Sequence, residues 1–519
     1  MAGIPRSLDS SPRDLETDER LYPRAYDPER ATTGPESAGK SAEDTKDVVE
    51  ETVQDPNMID WDGPDDPENP MNWSMKLKWA NVAIISTLTL HTALGSAMFA
   101  PGIPKIMAEF GETSATSATF VVSIYILGLA FGPLVIAPVS EVFGRARLYI
   151  WGNVLFTVFS VCIALSKSMA MMMAFRFLMG LTASTPITIG SGSITDIMPV
   201  ELRGRAMAAW TLGPLLGPAI GPIAGGYLIQ SAGWKWVYWL LAIVSGTFIP
   251  VSWLLIKETY APRVLERKAE RIRKETGNPN LRSKLQREAK MSDTFKLAIV
   301  RPLKLLFFAP IVALMSLYVA IVYGIYFLLL TTFSFVYKER YGFGEGAIGL
   351  TFLPAGIGMM LGVVAFGALS DFVVVRNNAR GIVHRPEARI VPMLTMPCCA
   401  VLPIGVFVYG WATEKGVHFV VPMVGVTIFS ICLIGVMMCN QNYLVDTYPR
   451  YAASVTAALA VLRSVFGALL PLGGLQMYDT LGLGWGNSLL GFIAVGMAPI
   501  PLVFYVFGER IRARFKLSL

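Results

Sequence analysis

Three residues that can carry charge lie inside apolar stretches, where charge is expensive: His91, Arg176 and Arg463. A hydrocarbon interior admits such a group only against a partner or a wet cavity, so each is a candidate for proton coupling or for lining a cavity. Histidine titrates near neutral pH. His91 therefore has two open readings: a proton site, or a neutral ring satisfied by a backbone carbonyl. Arg176, in RFLMGLTAS, lies 20 residues before Asp196. At 1.5 Å per residue that is about 30 Å of helix, so the two residues belong at opposite ends of one rod. Arg463 falls about twelve residues into its apolar run. No Asp or Glu sits in the middle of any run, which leaves the identity of a proton carrier open.

A second constellation lies at the ends of the runs. APVSEVFGRAR places Glu141, Gly144, Arg145 and Arg147 around one tight turn. A carboxylate at a helix end, two arginines and a glycine can form a charge latch, with Asp196 as the expected partner of Arg145. Asp371 and Arg376 stand at the corresponding place later in the chain, and Asp446 lies just before the eleventh run. Other matches carry less. GPESAGKS, Gly34 to Ser41, fits a phosphate-binding pattern, but that pattern needs a strand before it and a helix after it. The five cysteines, Cys162, Cys398, Cys399, Cys432 and Cys439, have no metal or redox spacing. No nucleophile motif or histidine cluster appears. The expectation is no enzyme, no metal, no cofactor and no nucleic-acid partner.

Membrane crossing is the element that must position these residues. The chain has 519 residues, is 53% hydrophobic and 16% charged, and has a mean hydropathy of +0.50. A soluble protein carries about a quarter charged residues. Residues 1–72 hold 19 of the 38 acidic and 7 of the 44 basic residues, a net charge of −12. Their Pro-, Ser- and acid-rich composition reads as disorder. No basic n-region with a short apolar core opens the chain, so no cleavable signal peptide is expected. Runs long enough for about 30 Å of hydrocarbon lie near 79–101, 117–138, 149–166, 169–192, 206–230 and 235–256. Six more lie near 305–333, 347–369, 390–411, 417–438, 452–474 and 487–508.

Charge and repetition test that count. With both termini cytoplasmic, the inner segments carry 36 Lys and Arg and the outer loops 6, as the positive-inside rule requires. The second run ends in APVSE and the eighth in GALSD, 230 residues on; DIMP recurs as DTYP after 250. Corresponding carboxylates at corresponding helix ends indicate a duplicated transporter. The central segment from Glu258, with Leu265, Ala269 and Ile272 on one helical face, is expected to lie on anionic lipid.

The stretch from Gly213 to Gly226 reads GPLLGPAIGPIAGG. Gly213, Gly217, Gly221 and Gly225 recur every fourth residue and form a strip without side chains on one helix face. Pro214, Pro218 and Pro222 follow three of them. In water this is a poor helix, but lipid offers the backbone no better alternative. On physics alone the strip is a seam for close helix packing.

With Gly226 and Leu228 the strip reads g-x-x-x-G-P-x-x-G-G-x-l, which resembles the fifth-helix motif of antiporters in the major facilitator superfamily. APVSEVFGRAR resembles the superfamily's loop between helices two and three, with Ala137, Glu141 and Ala146 departing from the pattern. RFLMGLTAS resembles its fourth-helix motif, with Met179 and Thr182 departing. WDGPDDPENPMNWS, the ETYAP…RKETGN loop and NYLVDTYPRYAAS…LRSVFGALLPL…GWGNSLLG together are similar to the fungal twelve-span drug:proton antiporter family.

The resemblance implies an all-α membrane protein of twelve transmembrane helices in two pseudo-symmetric six-helix halves. The expected organisation is an acidic, disordered cytoplasmic tail (1–72), a first half (73–256), a cytoplasmic central loop (257–304), a second half (305–508) and a basic tail (509–519). It implies a monomeric multi-pass protein of the plasma membrane that exports drugs, toxins or fungal metabolites as protons enter. Import of an organic nutrient or polyamine on the same fold is the alternative. Arg176 is then tied to proton transfer, and the helix-five motif to the direction of export. Tyr323, Tyr326, Phe327, Asn440, Gln441 and Asn442 are assigned to the substrate cavity.

Overall fold

Backbone groups in lipid must pair within their own segment, so each apolar run becomes a helix. The computed structural model describes residues 57–285, 291–379, 392–448 and 451–514, all within one unit, Asp55–Leu519. The phosphate-loop match at 34–41 and most of the acidic tail lie outside the described residues.

The first half contains α1 (Met75–Ala97), a short α2 (Ile103–Phe110), α3 (Ala115–Phe143), α4 (Arg145–Ala164), α5 (Met169–Ile197), α6 (Val200–Ala232) and α7 (Lys235–Leu255). Then come α8 (Ala261–Thr276) and α9 (Met291–Phe308). The second half contains α10 (Pro310–Tyr341), α11 (Glu345–Leu350), α12 (Leu353–Ala379), α13 (Pro392–Lys415), α14 (Val420–Thr447), α15 (Ala452–Leu469), α16 (Gly474–Met497) and α17 (Pro499–Arg514). The seventh span starts at Pro310 rather than near 305, because a proline fits the first helical turn, where its missing N–H is not needed.

Among the described residues, 11 helical stretches are long and apolar enough to cross a membrane. The last, Ala452–Arg512, runs 61 residues. That is about 90 Å of helix, three times a hydrocarbon core of about 30 Å. Gly482 breaks it, with φ 77° and ψ 168°. Glu414, at the end of α13, accepts the freed amides of Leu483 (2.8 Å) and Gly484 (3.2 Å). One stretch is therefore two crossings, and the described residues make twelve.

The two halves use the same internal pairing. Span one packs on five (α1 on α6), two on four (α3 on α5) and three on six (α4 on α7). In the second half, seven packs on eleven (α10 on α15), eight on ten (α12 on α14) and nine on twelve (α13 on α16). Between the halves, α3 meets α15, and α6 meets α11 and α12, so span two touches eleven and five touches eight. Exposed apolar side chains such as Trp253 and Val364 lie on the outer faces of the spans, where a bilayer would cover them.

Two expectations are corrected at the basic end of the bundle, where Arg145, Arg147 and α8 lie. Residues 57–73 are ordered as a strap across α8, not disordered to residue 72. The apolar face of α8 is covered largely by protein, with Leu265 and Ala269 fully buried and Ile272 half-buried. Two-residue strands, β1 (Met58–Ile59) and β2 (Arg282–Ser283), pair in parallel. Asp62 and Asp66 each lie 2.8 Å from the Lys268 ammonium, Glu68 lies 2.9 Å from Arg271, and Asp60 lies 2.5 Å from Lys284. An acidic segment has found basic partners in its own chain. Composition registers the opposite charges but not that they meet.

Asp66 and Lys268 are the buried pair, with side chains 2% and 3% exposed. Burial alone would raise the Asp66 pKa. Lys268 and the backbone N–H groups of Asp62 and Glu68 outweigh it and hold the carboxyl at about 2. Burial likewise works against the Lys268 charge, and Asp62 and Asp66 overcome it and raise its pKa. The clasp is therefore fully formed between about pH 4 and 10 and is lost as pH falls towards 2. Removing one member of a buried pair costs about 3–5 kcal/mol, because the other charge stays behind. Lys268→Ala is expected to release the strap, seen as faster limited proteolysis between residues 57 and 73. The swap Asp66→Lys with Lys268→Asp should restore protection in part. Equal cleavage rates in parent and Lys268→Ala would refute the clasp.

Candidate functional site

At the basic end, α3 stops and α4 starts within one residue. That residue is Gly144, at φ 88°, a conformation that L side chains rarely adopt. A second constraint acts there, since a Cβ on Gly144 would collide with the Glu258 carboxylate. Glu258 Oε1 accepts the Arg145 amide (2.8 Å) at the open N-terminus of α4, where a carboxylate is favoured. The same oxygen accepts the Tyr260 amide at 3.1 Å, and Oε2 lies 3.8 Å from Arg267 of α8. Arg145 turns its guanidinium to Asp196 (3.1 Å) and lies 5.4 Å from the Tyr260 ring. Gly192, one turn before Asp196, leaves room for it, since a Cβ there would strike the guanidinium.

The structure thus brings together Gly144, Arg145 and Asp196. Glu141 and Arg147 are exposed beside them. Glu258 is the member that residue spacing missed. Its one sequence signal is an acid directly after a membrane run. Asp371 and Arg376 lie on α12, with side chains outside the described residues. Asp446 is half-buried on the last turn of α14.

Arg176 is fully buried. Nε donates to the Val121 carbonyl (2.6 Å), one terminal nitrogen to the Tyr238 hydroxyl (2.7 Å) and the other to the Ser96 carbonyl (3.3 Å). The guanidinium lies 3.7 Å from the Phe99 ring centre and 5.3 Å from that of Tyr125. Its hydrogen-bond partners are neutral, and it is enclosed by α1, α3 and α7. His91 is also enclosed in the first half. Its Nε2 lies 3.0 Å from the Leu241 carbonyl, and Phe156 meets the ring edge-on at 5.3 Å. A neutral ring protonated on Nε2 satisfies that geometry.

Arg463 of α15 lies over the Tyr323 ring at 4.9 Å. Tyr323 and Phe327 are 4.9 Å apart and Tyr326 and Phe327 5.4 Å, so α10 carries one aromatic cluster beneath the arginine. The three residues 440–442 do not join it as a set. Successive helix positions turn by about 100°, so three in a row cannot face one cavity. Asn440 is buried and donates to Val436 O one turn back (2.7 Å), Gln441 is exposed, and Asn442 is half-buried.

The α6 strip faces α1. A Cβ on Gly213 would fall 2.7 Å from the Leu90 amide nitrogen, and one on Gly217 or Gly225 would collide with Ala93 or the Met98 carbonyl. The adjacent face of α6 meets the second half. Gly226 has no room for a Cβ beside the Glu345 carbonyl, and Gly349 and Gly356 have none beside Pro222 and Ala219. At this far end Lys105 pairs with Glu345 (3.4 Å) and Ser334 Oγ donates to the Ala100 carbonyl (2.8 Å). The two halves are joined there.

With this geometry in hand, similarity to known proteins has a structural meaning. A family model described as Major Facilitator Superfamily matches residues 85–471. Efflux pump radE of Floropilus chiversii is 48% identical over 478 residues, covering 90% of this chain and 88% of that protein. MFS-type transporter penM of Penicillium rubens is 47% identical, covering 91% and 92%. A bacterial homologue of the human lysosomal transporter Spinster, inward-facing and unoccupied, is 14% identical with a TM-score of 0.63, covering 86% of this chain and 100% of that one. A D-xylose-proton symporter is 14% identical with a TM-score of 0.60, covering 83% and 97%. At that identity the likeness is one of fold.

The strip predicts a contrast within one helix. Gly217→Leu overpacks the α1–α6 seam, a change that costs about 1–3 kcal/mol or more. Gly204→Leu, on the same helix with nothing within 4 Å of its added Cβ, is the control. Thermal unfolding of the purified variants should show a lowered midpoint for the first alone. Equal midpoints would remove the packing role of the strip.

Proposed function

The chain belongs to the major facilitator superfamily, and from that premise we propose that it exports small amphipathic molecules in exchange for protons. The two six-helix halves rock about a central cavity, which opens to each side in turn. The cargo is a drug, a toxin or a fungal secondary metabolite. The basic end faces the cytoplasm of a fungal cell, both termini lie on that side, and the protein works in the plasma membrane as a monomer.

The observation that carries this reading is the α6 strip. Its glycines press α6 against α1, while the next face seals against α11 and α12 at the far end. A backbone-level seal there lets a cavity load from the basic end without leaking cargo or protons across. The names of the relatives, which include an efflux pump, support the same direction.

Within this reading the charged residues divide by task. Arg145, Asp196 and Glu258 latch the basic end of the first half. Arg176 acts by fixing α1, α3 and α7 through its three hydrogen bonds. His91 is a packing residue. Arg463 lies on α15, which packs on α10 in its own half and on α3 in the other. A charge there responds to protonation in either half. Tyr323, Tyr326 and Phe327 offer flat apolar faces to a cargo of varied shape.

Cells of a pump-deleted yeast expressing the chain should accumulate less of a labelled toxic cargo than cells without it. Higher accumulation would reject export. The seal has its own test. Lys105→Cys with Glu345→Cys, bridged by a bifunctional methanethiosulfonate long enough to span the two side chains, should stop efflux, and a reductant should restore it. Full efflux in the crosslinked protein would show that the far end need not open.

A further inference from the structure

Beside the joined far end lies a cleft of about 410 Å³ that the proposed transport cycle does not use. It is within the size range of pockets for small organic molecules. Both halves build it. Met107 and Ala118 come from α2 and α3, and Phe335, Leu475 and Leu483 from α10 and α16. These walls are apolar. The polar lining is unbalanced in charge.

Glu339 and Asp479 both line the cleft and are exposed. No ion pair involves either of them among the described residues. Arg340 lines it too, but its guanidinium is committed elsewhere. Nε donates to the Thr413 carbonyl (3.1 Å), and a terminal nitrogen bonds the Glu414 carbonyl. It caps the end of α13, where a cation is favoured. The Tyr478 hydroxyl is likewise taken, donating to Asn487 (3.1 Å). Two carboxylates against one guanidinium that is turned to the end of α13 leave the cleft net negative, and with its apolar walls it complements a large cation with an apolar surface better than an anion of the same shape.

We propose that this cleft is a second binding site, for an apolar organic cation, and that a bound cation holds the two halves together at the far end. Its walls come from both halves, so separating them dismantles the site. A ligand that binds only the joined form stabilises that form by mass action. Such a cation would slow transport without competing for the central cavity. The site depends on the fold and not on the direction of export.

The test uses purified full-length protein carrying Thr113→Cys, an exposed position on the cleft. Tetraphenylphosphonium is the probe, and tetraphenylborate is its anionic match in shape. Tetraphenylphosphonium should slow maleimide labelling at position 113, and tetraphenylborate should not. Adding Glu339→Gln and Asp479→Asn should raise the half-protecting concentration about three- to tenfold, the range for two partly solvated charges. Leu483→Trp fills the cleft and should abolish protection in protein that still elutes as a single species. Protection by both ions alike, no protection, or unchanged protection in the doubly neutralised variant would overturn the proposal. The last outcome would mean that the cation acts from the central cavity.

Discussion

Two helices reach backbone contact only where neither interposes a side chain, and the bundle depends on that constraint along α6. One face of this helix lies on α1 and the neighbouring face on α11 and α12. Both contacts are closer than any Cβ would permit at Gly217, Gly225, Gly226, Gly349 and Gly356. In water, three internal prolines and a glycine every fourth residue would break such a helix. In lipid the unpaired alternative is worse, and the packed neighbours cover the disturbed turns. The stretch with the weakest helix propensity thereby becomes the place where helices approach most closely.

Charge is handled differently at the two levels of the bundle. In the interior, Arg176 has no anion among its hydrogen-bond partners and is held by two carbonyls, a phenol and two aromatic faces. This arrangement ties three helices together through hydrogen bonds to uncharged groups. At the basic end the groups are ionic and contiguous. The strap binds α8 through Asp66 and Lys268, α8 approaches Glu258 through Arg267, and Glu258 holds the amide of Arg145, which pairs with Asp196. A segment that precedes the first span is thus linked physically to the Asp196 end of the fourth.

Much of the architecture was legible in residue order. The crossings, the duplication and the concentration of basic residues at one end follow from transfer free energy and local composition, which add up along the chain. The match of Arg145 with Asp196 was legible because both sit at helix ends on the same side. The strap was not, since its acids read as a solvated tail until β1 and β2 pair across more than two hundred residues. Glu258 was missed for a similar reason, because a single acid after a membrane run has no pattern of its own. Of the residues assigned to a cavity, Tyr323, Tyr326 and Phe327 share an aromatic cluster, whereas Asn440, Gln441 and Asn442 differ in exposure along one turn of α14.

What the sequence alone determined is which stretches enter lipid, how many there are, that they come in two matching sets, and that one helix carries a bare strip. What only the tertiary structure decided is what that strip touches, which carbonyls receive Arg176, that His91 faces Leu241, and that Gln441 points outward. These depend on the rotation of each helix about its own axis. In a bundle apolar on nearly every side, hydrophobic periodicity leaves that rotation undefined. It is set by shape and by hydrogen bonds between residues far apart in the chain.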